Sequence, residues 1–109
     1  MNINKSIFVG KVQGTPDVTQ QGDNKQATFI LVVSNRVQTA NGQWVDSPSE
    51  VPVFAKGKRA GLIEQYVVAG QELGVEARFT SWRDEQGQLQ VAFELMDLSY
   101  GYKPKVINK

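Results

Sequence analysis

A chain of 109 residues is long enough for one small domain with a single core, and too short for two. It contains no cysteine and no histidine, which excludes disulfide staples, thiol catalysis, a Ser-His-Asp arrangement and the commonest zinc ligands. Twelve Lys and Arg against eleven Asp and Glu leave a net charge of +1, so any basic surface must come from local segregation of charge.

Hydrophobic residues at 40% and charged residues at 21% describe a globular chain, not a disordered one. The longest apolar run, residues 29–33, is too short to span a bilayer, and the N-terminus lacks a basic stretch ahead of a long apolar one. A cytoplasmic protein without membrane association is the expectation.

The elements follow in chain order as short strands punctuated by Gly, Asn and Asp. Residues 3–12 form a first apolar-rich strand, stopped by Gly14-Thr15-Pro16-Asp17, and Gln21-Gly22-Asp23-Asn24 is a turn cluster. Residues 27–37 are almost continuously apolar and β-branched, as suits a strand buried on both faces or bent within a barrel. Asn41-Gly42 signals a hairpin loop before the next segment, residues 44–56. There Val51, Val53 and Ala55 share one face, while Trp44, Glu50, Phe54 and Lys56 share the other. Pro48 and Pro52 cannot donate to a ladder, so this strand should be broken, bulged or at an edge.

Between residues 58 and 68, Leu62, Ile63, Tyr66 and Val67 recur at the spacing of one helix face, with Gly70 placed as a C-terminal glycine. Residues 73–83 alternate again, with Leu73, Val75, Ala77 and Phe79 on one side and Glu72, Glu76, Arg78, Thr80 and Trp82 on the other. Asp84-Glu85-Gln86-Gly87 is a hairpin turn, followed by a strand whose apolar face is Leu89, Val91, Phe93 and Leu95. The order is three strands, one short helix, two strands. That is the element order of an all-β, five-stranded OB-fold, a Greek-key barrel with a helix between strands three and four. Residues 1–99 form this domain, and residues 100–109 read as a short basic tail.

Candidate functional residues are aromatics and cations on the outward faces. Trp82, beside Arg83, either shields barrel surface or serves as a platform on which a base stacks. Trp44 and Phe54 repeat the pattern, and three outward aromatics on a small barrel favour a binding face. Lys56, Lys58 and Arg59 form the densest basic cluster, at the strand-to-helix junction. Lysine there opposes the helix dipole, so helix stability is not its evident purpose. Lys5, Lys11, Arg36, Arg78 and Arg83 are spread along the strands, and together these cations suit a phosphate backbone. Enzymatic readings find little support: Asp84-Glu85 belongs to a turn, no acids stand at metal-ligand spacing, and no glycine-rich phosphate loop is present. Neither a metal nor a cofactor is expected.

The opening Ile3-Asn4-Lys5-Ser6-Ile7-Phe8-Val9-Gly10-Lys11-Val12, with Thr15-Pro16-Asp17-Val18 following, resembles the N-terminus of bacterial single-stranded DNA-binding proteins. The resemblance continues through residues 27–31, Lys56-Gly57-Lys58, the helix with Tyr66 and Gly70, and Trp82-Arg83-Asp84-Glu85-Gln86-Gly87-Gln88. It spans residues 2 to about 99. It implies an OB-fold that binds single-stranded DNA without sequence preference, as a homo-oligomer, usually a tetramer. It also implies that Lys5 and Lys58 lie near the DNA and that Trp82 is a stacking residue. Positions where the family carries other stacking aromatics fall on Val37, Glu50 and Lys56, and its Glu-Gly on strand four reads Glu76-Ala77; Phe54 has the parity of the missing strand-three aromatics. Family members end in an acidic tip that recruits replication enzymes, whereas this chain ends in Lys103-Pro104-Lys105-Val106-Ile107-Asn108-Lys109, so recruitment by that route is not expected.

The expected function is to coat and protect single-stranded DNA in replication, recombination or repair. The alternative is an OB-fold protein-interaction module of replication machinery, of the primosomal accessory type. An OB-fold that reads oligosaccharides ranks last, because it would have no use for the cations.

Overall fold

The structure of the protein, a computed structural model, describes residues 2–100. Seven strands and one helix follow in the order β1 (Ser6–Gln21), β2 (Asn24–Val33), β3 (Arg36–Gln38), β4 (Trp44–Asp46), β5 (Ser49–Lys56), α1 (Lys58–Tyr66), β6 (Glu72–Arg83) and β7 (Leu89–Tyr100). The five long strands close a barrel in the order β1-β2-β5-β7-β6, and β3 and β4 pair only with each other. Counting the long strands alone, the ring runs 1-2-3-5-4, the topology of the OB-fold. The fold expected from the element order is therefore the fold observed.

β1 is long because it serves two neighbours. Ser6–Lys11 pair antiparallel with β6, and Lys11–Gln21 pair with β2. Closing a barrel from so few strands demands strong coiling, and Gly10 stands where β1 changes partner. A Cβ at Gly10 would lie 2.3 Å from the Val32 carbonyl oxygen. The expected stop at Gly14-Thr15-Pro16-Asp17 is instead a register shift inside the strand, between Gln13 and Asp17. Gly14 takes the required positive φ of 69°, and Pro16, with no N–H to offer the ladder, is accommodated at the bulge.

The second and third expected strands are each divided. β2 ends at Val33, and the Asn35 side chain bonds the Ser49 hydroxyl across the gap (2.7 Å). Arg36, Val37, Trp44 and Val45 then belong to the separate β3–β4 ribbon, turned at Asn41-Gly42 with Gly42 at φ 82°. In the barrel proper, Ala27, Phe29 and Leu31 of β2 face inward while Thr28 faces solvent, so this strand is buried on one face only. Val51, Val53 and Ala55 of β5 are buried as their parity requires. Pro52 lies where β5 has β2 alongside, just before its short parallel pairing with β7 begins at Val53, which is how a proline is tolerated inside this barrel.

The helix packs Ala60 and Ile63, with Val67 just beyond its end, into the core formed by the strands. Leu62 and Tyr66, expected on the same buried face, remain exposed. Gly70 is not the helix C-terminal glycine: Val67 closes the helix in an extended conformation, and Gly70 turns the chain later, its N–H bonded to the Val12 carbonyl (2.8 Å). The glycine the helix does need is Gly57 at its start, at φ 64° and ψ −129°, a region closed to other residues.

The inward parity of the last two strands also fails towards their shared turn. Leu73, Val75, Ala77 and Leu95 are buried, whereas Phe79, Leu89 and Val91 are exposed. The cause is geometric. β1 stops pairing with β6 at Ser6–Ala77, so beyond that point the β6–β7 hairpin outruns the barrel, and among the described residues no strand continues across from its inward face. Residue 100, expected to open the tail, still pairs with Leu73; residues 101–109 lie outside the described residues. Among the described residues no helix is long and apolar enough to cross a membrane.

Candidate nucleic-acid interface

The largest convergence of candidate residues is a groove of about 610 Å³ on the outer face of β2 and β5, overhung by the β6–β7 hairpin. Register builds its floor. Gln26, Thr28 and Ile30 of β2 stand directly opposite Lys56, Phe54 and Pro52 of β5, all on the outward parity. Thr80 and Trp82 of β6 and Ala92 of β7 form the overhanging wall, and Thr15 and Asp17 of the β1 bulge complete the rim. Three expected residues, Phe54, Lys56 and Trp82, therefore share one groove although 28 positions separate the first from the last.

Trp82 is 49% exposed. Lys56 extends over the Phe54 ring, its Nζ 5.7 Å from the centroid, within cation–π range. A half-open indole, a phenyl ring and an ammonium in one concave site offer π-faces for stacking and a charge for phosphate. Among the described residues Lys56 is the only cation lining the groove and Asp17 its only acid, so the electrostatic term they set is small and partly opposed.

The remaining candidates lie elsewhere. Trp44, 58% exposed, and Arg36 sit on the β3–β4 ribbon, where the Arg36 guanidinium approaches the Trp44 carbonyl oxygen at 3.5 Å. The basic cluster at the helix start is dispersed by the backbone. Lys58 lines a shallow depression with Lys25 and Glu64, and Arg59 donates to the Met96 carbonyl on β7 (2.9 Å). Arg78 is held by Glu94 (2.7 Å) and Lys5 by Glu76 (3.5 Å). Lys11 is exposed on β1, in register with Glu72 of β6. Arg83 closes the hairpin turn, donating to the Gly87 carbonyl (2.9 Å).

That turn is organised by Asp84. Its carboxylate accepts from the Gln88 and Gln86 amides and from the Gln90 side chain. The Gln88 amide bond is the leading cause of a pKa below the ordinary aspartate value, with desolvation opposing it and the Gln90 and Gln86 bonds adding to it. The turn thus fixes the hairpin that carries Trp82.

Several groove residues escaped the sequence reading. Thr28, Ile30, Pro52 and Ala92 line it, but a single threonine, isoleucine, proline or alanine in a strand carries no signal that separates a groove from ordinary barrel surface. Asp17 reads from the sequence as part of a strand-ending turn, a signal that carries no information about its place on the rim.

A barrel of OB topology with an aromatic-lined groove, carrying one lysine, on the face of its second and third long strands has the architecture by which this fold binds oligonucleotides. The model of the single-strand binding protein family matches residues 3–98, and the chain belongs to that family. A single-stranded DNA-binding protein of Staphylococcus epidermidis is 28% identical over 94 residues, covering 85% of this chain and 70% of the relative. Among solved structures, the Plasmodium falciparum SSB in complex with ssDNA superposes with a TM-score of 0.80 at 20% identity, covering 94% of this chain and 97% of that one. The small single-stranded DNA-binding protein of Streptomyces coelicolor superposes with a TM-score of 0.72 at 20% identity, covering 93% and 95%.

Proposed function

We propose that this protein binds single-stranded DNA without sequence preference, laying the strand along the β2–β5 groove and coating it during replication, recombination or repair. The observation that carries the reading is the convergence of Phe54, Lys56 and Trp82 in one open groove. Stacking recognises any unpaired base, because every base has a π-face, and gives no purchase on a duplex whose bases already stack on one another. Trp44 and Arg36 extend the surface on the β3–β4 ribbon. Lys5, Lys11, Lys58, Arg59, Arg78 and Arg83 contribute charge along the path, those held by carboxylates or carbonyls contributing less than Lys56. The protein acts by binding, not catalysis, in the cytoplasm and as a homo-oligomer, a tetramer or a dimer. The fold of a relative solved with ssDNA supports the same reading.

A competition assay tests it. A labelled dT oligomer bound to the protein should be displaced by unlabelled poly(dT) and by mixed-sequence single strands, and not by duplex of the same sequence. Equal displacement by duplex would leave only non-specific charge. Failure to bind the labelled oligomer at low salt would move the groove to a protein partner.

A further inference from the structure

Phe79 breaks the inward pattern of its own strand. Its neighbours on the same parity, Leu73, Val75 and Ala77, are fully buried, yet Phe79 is 43% exposed. It is also held firmly. The ring packs edge-on against Phe93 at 5.7 Å, and Phe93 packs edge-on against Phe8 at 5.0 Å, which joins the exposed ring to the partly buried layer beneath it. Its backbone is clamped as well: Asn4 Nδ2 donates to the Phe79 carbonyl (2.8 Å), and the Phe79 N–H donates to Asn4 Oδ1 (2.8 Å). The side-chain amide of Asn4 thus substitutes for a neighbouring strand just past Ser6–Ala77, where the β1 ladder ends. An exposed aromatic ring locked at both ring and backbone is preorganised for a flat partner.

The partner follows from what continues the surface. Thr80 and Trp82 face the groove, so Phe79, at odd parity, lies on the opposite face of the same two-stranded hairpin. Phe79 and Trp82 are only three positions apart, about 10 Å of strand. Its face continues through Ser81 opposite Val91 and Arg83 opposite Leu89, with Val91 and Leu89 exposed, and so runs from an aromatic over an apolar strip to a guanidinium. Beyond Ala77 no strand among the described residues pairs with the outer edge of β6, so past the Asn4 clamp a polymer leaving Trp82 has an unpaired strand edge to cross. We propose that Phe79 is a second stacking position for a nucleobase of the same single strand, with Asn4 as the residue that positions it, so that the strand wraps the β6–β7 hairpin and uses both of its faces. This rests on the single-stranded DNA reading and deepens it.

The test uses the protein with Trp44→Phe, Trp82→Phe and Phe79→Trp, which leaves one tryptophan, at position 79. Binding is followed independently by anisotropy of labelled dT oligomers of increasing length. Emission from position 79 should be quenched by the longer oligomers and not by those too short to pass the hairpin edge. Phe79→Ala in the otherwise native chain should weaken binding of the long oligomers about fivefold or more, with short ones unaffected. Asn4→Ala in the single-tryptophan protein should reduce the quenching at position 79. Anisotropy showing binding at every length with no quenching at position 79 overturns the proposal while leaving groove binding intact; loss of binding by the native chain is the separate failure of the underlying reading. A drop in solution mass for Phe79→Ala with unchanged DNA affinity would reassign the ring to a contact between subunits, and also overturns it.

Discussion

Replacing Trp82 by alanine probes the binding groove with little disturbance of the fold. The indole is half exposed and lies outside the buried core, so the melting temperature should move by no more than a few degrees, the ordinary range for a surface substitution. The binding loss is larger. One base stacked on an aromatic side chain contributes about 1–3 kcal/mol, so affinity for a dT oligomer should fall by about 5- to 150-fold. Phe54 and Lys56 still line the groove, which places the loss in the lower half of that range. Trp82→Phe should recover most of it, because the π-face remains. Anisotropy of a labelled dT oligomer is the proper assay, since Trp44 would dominate the remaining intrinsic fluorescence. An affinity unchanged by Trp82→Ala, in a protein that melts normally, would refute the claim that this ring meets a base.

The charge terms separate in the same assay. Lys56→Ala should flatten the dependence of log K on log salt by about 0.7, the value of one phosphate contact on a single strand, whereas Arg78→Ala, removing a cation already paired with Glu94, should change the slope less; equal changes would refute the ranking. Asp17→Asn removes the acid on the groove rim and should tighten binding a few-fold at low salt, with the gain vanishing at high salt. Gly10→Ala puts a Cβ against the Val32 carbonyl and should cost about 1–3 kcal/mol or more in a denaturant melt; a neutral result would refute the close approach. Asp84 has its carboxyl pKa lowered on folding, chiefly by the Gln88 amide. Its contribution is therefore complete above the unfolded aspartate value, about 3.9, and is lost as pH falls below that through the folded value. Amide exchange at Gln86 and Gln88 should accelerate there, and Asp84→Ala should remove that pH response; fast exchange already at neutral pH would contradict the turn geometry.

What the sequence could reveal was decided by how local each signal is. Alternation in Val51-Val53-Ala55 and Leu73-Val75-Ala77 marked the core faces, because inside the barrel each inward residue meets others across it. The same rule failed at Phe79, Leu89 and Val91 because its premise, an opposing surface, ends where β1 stops pairing at Ser6–Ala77. No periodicity encodes the length of a neighbouring strand. The β1 bulge is illegible in sequence for a related reason. Gly14 and Pro16 disfavour a regular ladder, and only the partner strand determines whether the chain turns or bulges there. In the groove, Phe54, Lys56 and Trp82 stood out by residue type and parity, yet their convergence depends on the barrel's closure. Conversely, Lys56, Lys58 and Arg59 looked like one cluster in sequence, and the strand-to-helix junction sends them to three different surfaces. Neighbours in sequence diverge wherever the backbone changes its period from two to 3.6.

The central claim, that single-stranded DNA lies in the β2–β5 groove against Trp82, is met most directly by fluorescence of the Trp44→Phe protein, in which Trp82 is the sole tryptophan. Titration with poly(dT) at low salt should quench its emission strongly, added salt should reverse the quenching, and duplex DNA should leave the emission unchanged. Emission that stays constant while anisotropy reports a bound single strand would place the DNA on another surface and contradict the account.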